Sequence, residues 1–439
     1  MTKDEINSAL RDYARSNLTP RQNERDLVTN LYASIKAALG EGNCLQIGSF
    51  PRFTAITPVH DLDVLHIIGA WQGAVSPFEV LDDLKDLLTD NFENPTDFTI
   101  SISLQAHSVT ISFTDDGEDV FSIDVVPAFS TGQNEFGDPM YVVPETAKHP
   151  RRERRYIPGG ANKDDFGDPS SYWIRSDPRG YISAAQRLND DNDDFRKAAK
   201  IVKRWKQNQK LNDDNFPLKS FHLEQIVTRI LSANRGLSLF DIIFEFFRTI
   251  EDYVRDPRIP DRADPSIFID QYIADLSHSE RRKISHAKDY VLKSLEEIAP
   301  STPIESIFSG ELYERPVSEK FLFDLGIPVL TEENLRIRAE VLPRTGGFRG
   351  FLLDVIGRIS VDRKISFRHR EDVPGAQLYK WKVKNDDDCR DPRGEITDHS
   401  TRNDPENSKY IGEHYVECYA IRNNVCIARA RQYVRLGGL

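Results

Sequence analysis

Gly48-Ser49-Phe50-Pro51-Arg52-Phe53-Thr54-Ala55-Ile56 leads across a short loop into Asp61-Leu62-Asp63-Val64. On a strand alternate residues face the same side, so Asp61 and Asp63 project together while Leu62 and Val64 point into a core. Two adjacent carboxylates repel each other unless a cation neutralises them, and Mg²⁺ prefers oxygen ligands of this kind. A third acid, Asp124, interrupts the apolar run Phe121-Ser122-Ile123-Asp124-Val125-Val126-Pro127, where an unpaired charge is costly. A neighbouring strand that brings Asp124 to Asp61 and Asp63 would complete a cage for two metal ions, an arrangement suited to phosphoryl transfer. Gly48 permits a tight turn beside phosphate, and Ser49 offers a hydroxyl and an N–H to it.

The surrounding pattern predicts a mixed α/β front. Helices are expected over residues 3–17, capped by Thr2, over Arg21–Leu39 and, behind a Ser76 cap, over Phe78–Asn91. Strands are expected at Cys44–Ile47, Asp61–Ile68, Phe98–Leu104, Ser108–Phe113 and Val120–Pro127. Residues 128–180, rich in Pro, Gly, Asp and Arg, read as long ordered loops; they include the basic run Arg151 to Arg155, a candidate phosphate contact. Helical periodicity returns at Asp194–Gln209, Ser220–Asn234, Leu239–Arg255 and Ser279–Ile298. The last third turns strand-like, at Leu335–Val341, Arg358–Ser360, Leu378–Lys384, Tyr415–Ile421 and Val425–Ala430. The fold class is α+β, with divisions expected at 1–180, 181–315 and 316–439.

The 439 residues are too many for one ordinary core. A net charge of −12 argues against coating nucleic acid by bulk charge, though a local basic groove is compatible with it. No apolar run is long enough to span a membrane and the N-terminus lacks a secretory pattern, so a cytoplasmic location with no membrane partner is expected. The cysteines Cys44, Cys389, Cys418 and Cys426 have neither zinc spacing nor a disulfide framework's density. Neither a Walker loop nor a Ser/His/Asp hydrolase pattern is present.

The ordered set of GS, hDxDh and a later hDhh strand resembles the DNA polymerase β-like nucleotidyltransferase superfamily. The fuller string GSFPRFTAI…DLDV is similar to its cyclic GMP–AMP synthase/DncV-like branch, the CD-NTases. The likeness continues through Trp173, Asp177-Pro178, Lys203-Arg204-Trp205-Lys206 and Leu218-Lys219-Ser220-Phe221-His222-Leu223-Glu224. It implies a bilobal palm and helical domain, with Asp61, Asp63 and Asp124 as catalytic metal ligands. It further implies Gly48 and Ser49 in the triphosphate loop, with Lys203, Lys219 and Ser220 against the donor triphosphate. The implied cofactor is a pair of Mg²⁺ ions, with Mn²⁺ as a substitute. The implied partners are nucleoside triphosphates, ATP among them, and a separate effector protein that reads an oligonucleotide signal in antiphage defence.

Tyr379 to Asn385, Arg393-Gly394-Glu395-Ile396 and Tyr410 to Tyr419 resemble the AGS-C sensor domain associated with such enzymes. That implies a mainly β domain with a nucleotide or nucleic-acid ligand, and Trp381, Arg393 and His414 are candidates for an aromatic and cationic pocket. Base identity, linkage and ring size stay open. Two other functions also stay open: extension of a nucleic-acid 3′ end, and a nucleotide-binding sensor whose front domain is a regulatory scaffold.

Overall fold

The computed structural model describes residues 1–73, 75–146, 173–343, 350–353, 358–398 and 405–437. The chain divides into two compact units. One comprises residues 10–246 and 250–281, and the other residues 1–9, 247–249 and 282–439.

Helix α1 (Lys3–Tyr13) opens the chain, and in the first unit α2 (Gln22–Leu39) ends at Gly40, whose φ of +91° takes the chain out of the helix. There follow β1 (Cys44–Ile47), β2 (Asp61–Ala70), α3 (Pro77–Asn91), β3 (Thr99–Leu104), β4 (Val109–Asp115) and β5 (Glu118–Gln133). Ser76 caps α3 by accepting a hydrogen bond from Glu79 N. The sheet runs β1-β2-β5-β4-β3, with β2 and β5 parallel and the other neighbours on this path antiparallel. Leu62, Val64, Ile111, Phe113, Ile123 and Val125 point from the central strands into one core with Val28, Leu31 and Ile35 of α2 and Leu81, Leu84 and Leu88 of α3. Burial of those alternate side chains fixes the register, because a one-residue slip would turn every one of them outward. The same pleat sends Asp61, Asp63 and Asp124 to the opposite face.

Within the stretch read as loops, the described residues 128–146 and 173–180 are more regular than its composition suggests. Strand β5 continues to Gln133, β6 (Pro139–Pro144) pairs with it, and β7 (Trp173–Ser176) pairs with β6. Helix α4 (Pro178–Asp191) follows. Asp177 caps it through a hydrogen bond from Gly180 N, with Pro178 at the first helical position. A β-carbon on residue 180 would lie 1.9 Å from Asp177 Oδ2, so the glycine is part of the cap. Trp173 packs against Trp71 and Phe129, with ring centroids 5.0 and 5.4 Å away. The basic run Arg151 to Arg155 lies outside the described residues.

Helices α5 (Phe195–Asn212) and α6 (Ser220–Ala233) build the helical part of this unit. Trp205, fully buried on α5, meets Phe216 and Phe246 edge-on. Helix α7 (Leu239–Arg255) follows, and α8 (His278–Glu296) falls largely in the second unit.

The second unit holds the C-terminal strands: β8 (Ile337–Val341), β9 (Phe351–Leu352), β10 (Arg358–Ile359), β11 (Lys364–His369), β12 (Leu378–Lys384), β13 (Ile396–Thr397), β14 (Glu406–Asn407), β15 (Gly412–Arg422) and β16 (Val425–Leu436). They form one sheet in the order β10-β16-β15-β12-β13 and another in the order β14-β11-β8-β9. Ile337, Ala339, Ile365 and Phe367 of the second sheet share a core with Trp381, Val416, Cys418 and Val434 of the first. Strand β11 has no counterpart in the expected strands.

Candidate active site

Strands β2 and β5 carry the three aspartates. In their parallel register Asp63 lies opposite Asp124, and Asp61 opposite Ser122. Asp61 is exposed, whereas Asp63 and Asp124 are partly buried. Burial, followed by the charges of Asp61 and Asp124, pushes the Asp63 carboxyl up to about 7. Burial also raises Asp124, against the hydrogen bond it accepts from Thr110 Oγ1 at 2.5 Å. Mutual repulsion of this kind makes a site that gains from a bound cation, and three carboxylates form a hard oxygen donor set. Among the described residues no three acidic, His or Cys side chains already converge as a metal-binding group. The oxygen donors are of the kind that a divalent cation such as Mg²⁺ takes, but Asp124, engaged with Thr110, does not converge with Asp61 and Asp63 in this arrangement.

Gly48 closes against this group. Its φ is +77°, and a β-carbon there would lie 1.9 Å from Asp63 Oδ2. Ile47 pairs with Asp63 across β1 and β2, so the turn that begins at Gly48 starts beside the carboxylate. The turn is held from within by Thr54 N, which donates to Ser49 O at 3.0 Å.

A cavity of about 640 Å³ opens in front of Asp61 and Asp63, within the size range of small-molecule sites. Gly48, Ser49, Lys203 and Ser220 also border it. Asp124 sits behind Asp63 on the adjacent strand rather than on the cavity wall, and Lys219 also lies off the wall. The Lys219 ammonium lies 4.8 Å from the centre of the Tyr272 ring. Lys219 is the N-cap of α6 and Ser220 its first helical residue.

Lys203 borders the cavity but is buried in an ion network. Its ammonium donates to Glu224 Oε2 at 2.5 Å, Thr54 Oγ1 at 2.8 Å and Thr54 O at 3.1 Å. Arg52 Nε donates to Glu224 Oε1 at 2.6 Å, and Thr54 Oγ1 donates to Glu224 Oε2 at 2.7 Å. Burial alone would raise the Glu224 carboxyl, but the Arg52 and Lys203 charges hold it at about 2. The network therefore ties the 48–54 turn to helices α5 and α6.

Lys206, one helical turn after Lys203, also borders the cavity and donates to Ser220 Oγ at 3.3 Å. Burial, then the nearby Lys210, brings it down to about 8, with Asp61 pulling the other way. Tyr181 and Phe221 form an apolar wall, with ring centroids 5.0 Å apart and edge to face. Sequence reasoning assigned no role to Arg52, Thr54, Tyr181, Lys206 or Glu224. Arg52, Thr54, Lys206 and Glu224 stood inside the quoted motifs, but nothing local distinguishes a network residue from a cavity residue.

The candidate C-terminal pocket separates into pieces. Trp381 is core, and it borders a hollow distinct from the one that Arg393 and His414 border. His414 Nδ1 accepts from Asp386 N at 3.1 Å and Nε2 lies 2.8 Å from Tyr410 O, so backbone groups occupy both ring nitrogens. Arg393 Nη1 donates to Glu406 at 2.8 Å.

Comparison with known proteins agrees with this architecture. Residues 315–437 match the family described as the Adenylyl/Guanylyl and SMODS C-terminal sensor domain, AGS_C. The chain is similar to the structure of E. coli MS115-1 CdnC with ATP, at 17% identity and a TM-score of 0.50, covering 70% of this chain and 99% of that one. It also matches E. coli MS115-1 CdnC in complex with HORMA-deltaN, at 16% identity and a TM-score of 0.47, over 69% of this chain and 94% of the other. A further match is the Elizabethkingia meningoseptica CdnE cyclic dinucleotide synthase with GTP and Apcpp, at 14% identity and a TM-score of 0.40, over 56% and 84%. No curated protein sequence matches the chain. The fold is that of a CD-NTase, joined to an AGS_C domain, as the sequence resemblance implied. Among the described residues no helix is long and apolar enough to cross a membrane.

Proposed function

We propose that this chain is a nucleotidyltransferase that consumes nucleoside triphosphates, releases pyrophosphate and joins nucleotides into a cyclic or linear oligonucleotide. The product acts as a second messenger in antiphage defence of the CBASS type, in the cytoplasm, and is read by a separate effector protein. One observation carries this reading: Asp61 and Asp63, coupled to Asp124 on the parallel neighbouring strand, face a nucleotide-sized cavity whose rim holds a glycine turn and lysines. The ATP in the similar E. coli CdnC structure supports extending the same donor to this protein.

Asp61, Asp63 and Asp124 would hold two Mg²⁺ ions, or Mn²⁺, which when bound would acidify an attacking hydroxyl and neutralise triphosphate charge. The chain's own groups do the positioning. Gly48 keeps the space beside Asp63 free, and Ser49 presents donors to the phosphates. Lys206 supplies an ammonium from the helical side, together with Ser220 at the start of α6, where N–H groups favour anions. Lys203 is a second cation at the rim, held in place by Glu224, and Lys219 lies farther out. Tyr181 and Phe221 offer an apolar surface to a base. In this scheme residues 1–180 are the palm, 181–315 the helical domain and 316–439 the sensor.

Mass spectrometry of the products formed from the four NTPs with Mg²⁺ or Mn²⁺ tests the proposal. Cyclic or short linear oligonucleotides are expected. A product ladder that requires an added primer would point instead to 3′-end extension, and the absence of any product under every activator tried would overturn the reading.

A further inference from the structure

The open face of the sheet in the first unit carries more than the three aspartates. Val109, Ile111 and Phe113 of β4 point into the core together with Ile123 and Val125 of β5. Side chains alternate along a strand, so Ser108 and Thr110 turn to the side of Asp124. In the antiparallel register of β4 and β5, Thr110 lies directly opposite Asp124. In the parallel register of β2 and β5, Asp63 lies opposite it on the other flank. Asp124 therefore stands between a hydroxyl and a like charge.

It turns to the hydroxyl. Thr110 Oγ1 donates to Asp124 Oδ1 at 2.5 Å, and the Ser108 hydroxyl adds a lesser pull on the same carboxylate. Thr110 and Ser108 are both buried, so water competes little for these bonds. Asp63 leans the other way: its Oδ2 lies against Gly48, 1.9 Å from the point that a β-carbon there would take. In the sheet order β1-β2-β5-β4 the two carboxylates are thus splayed toward the outer strands. A Mg²⁺ ion shared by both would need an oxygen of each at about 2.1 Å. Among the described residues no three acids converge in that way. A hydroxyl that oriented Asp124 for a cation would leave it aimed toward Asp63, whereas this one draws it toward β4.

We infer that Thr110 is a positioning residue that holds Asp124 away from Asp61 and Asp63 in the free protein, so that the third carboxylate joins the other two only by giving up this hydrogen bond. The inference rests on the reading of the aspartates as cation ligands given above. Three ionised carboxylates brought together without a counter-charge repel one another. The hydroxyls of β4 give the third one a stable place apart from them. The free protein then offers a divalent cation two carboxylates and takes it weakly, and the hydrogen bond to Thr110 sets how weakly.

The test titrates the full chain, without nucleotide, with Mn²⁺ and reads the free ion by electron paramagnetic resonance, which needs no turnover. The Asp61→Asn/Asp63→Asn chain supplies the background from other acids. Thr110→Val keeps the branched shape and removes the donor. A hydrogen bond to a charged group that must be broken on binding weakens that binding by at least about tenfold. Thr110→Val is therefore expected to bind Mn²⁺ at least about tenfold more tightly than wild type, and Thr110→Ser to return to the wild-type value. In an Asp124→Asn background Thr110→Val gives no gain, because the hydroxyl acts through that carboxylate. Ser108→Ala gives a smaller gain in the same direction and decides the matter if the valine chain does not fold. Equal or weaker Mn²⁺ binding by Thr110→Val than by wild type overturns the inference, as does a gain that persists in the Asp124→Asn background. Absence of Mn²⁺ binding above background in every one of these chains, wild type included, overturns the reading of the aspartates as cation ligands and the inference with it.

Discussion

Glu224 Oε2 accepts a 2.5 Å hydrogen bond from the Lys203 ammonium while Oε1 of the same carboxylate accepts one of 2.6 Å from Arg52. One buried anion on α6 thus binds a cation from α5 and a cation from the turn that carries Gly48 and Ser49. Removing one partner of such a group leaves an uncompensated buried charge, typically at about 3–5 kcal/mol. Glu224→Gln is expected to lose stability on that scale, read as a lower denaturant midpoint, with Ser49 and activity disturbed together. The pH dependence follows from the sign of the shift. The folded carboxyl titrates near 2 against an ordinary 4.5, so its stabilisation is complete above 4.5 and is lost as pH falls toward 2. Acid unfolding of Glu224→Gln should lack that component; an identical acid profile in both proteins would show that the network contributes nothing.

Gly48→Ala meets two obstacles. The backbone sits at φ +77°, and the added carbon would fall 1.9 Å from Asp63 Oδ2. Something must move, and the movable group is the carboxylate. A displacement of about 1 Å at a reacting centre can cost about a hundredfold in rate. We expect a loss of that order in kcat with a melting temperature within a few degrees of wild type. Near-wild-type turnover would show that Asp63 need not occupy its present position.

Lys203 and Lys206 separate by role. Lys206→Gln is expected to raise KM for the triphosphate about tenfold, a change of about 1.4 kcal/mol, with little effect on melting temperature. Lys203→Gln removes a buried partner of Glu224 and should lower the melting temperature. Since burial brings the Lys206 ammonium down to about 8, the free protein loses this charge as pH rises through that value. Triphosphate KM of the wild type should therefore climb between about pH 7 and 9, and Lys206→Arg should flatten that rise. Equal pH profiles for the two would remove Lys206 from the phosphate contact.

The acidic cluster itself stores unfavourable energy. Asp63 is raised from 3.8 to about 7, so in the metal-free protein its ionisation opposes folding at pH values above 7. Asp63→Asn should raise the melting temperature at pH 8 without added metal. Addition of Mg²⁺ should raise that of the wild type and leave the variant unmoved. A variant less stable than the wild type under metal-free conditions would mean that the carboxylate is a structural partner instead.

Much of this architecture is legible along the chain, for physical reasons. The alternation in Asp61-Leu62-Asp63-Val64 has one solution, apolar side in and acids out, and the fold adopts it. Helices α2 and α3 announce themselves through Gly40 and Ser76 at their ends. Helix α4 went unseen although Asp177-Pro178 is a start signal, because Gly180 and the loop-like residues before it outweighed the periodicity of Ile182, Ala185 and Leu188. Strand β11 is short, and only its pairing with β8 distinguishes Lys364–His369 from a loop. The site divides the same way. Side chains on regular strands could be placed from the pleat. The division between Lys203 and Lys206 could not, since both lie on nearby faces of α5 and the distinction comes from Glu224, which is distant in sequence.

Pyrophosphate release from NTPs, measured for wild type and for Asp61→Asn, Asp63→Asn and Asp124→Asn with and without Mg²⁺ or Mn²⁺, decides whether the three aspartates hold catalytic ions. Metal-dependent release by the wild type is expected, falling at least about a hundredfold in each variant while each stays folded. Metal-independent release, or release by Asp63→Asn at the wild-type rate, would contradict it.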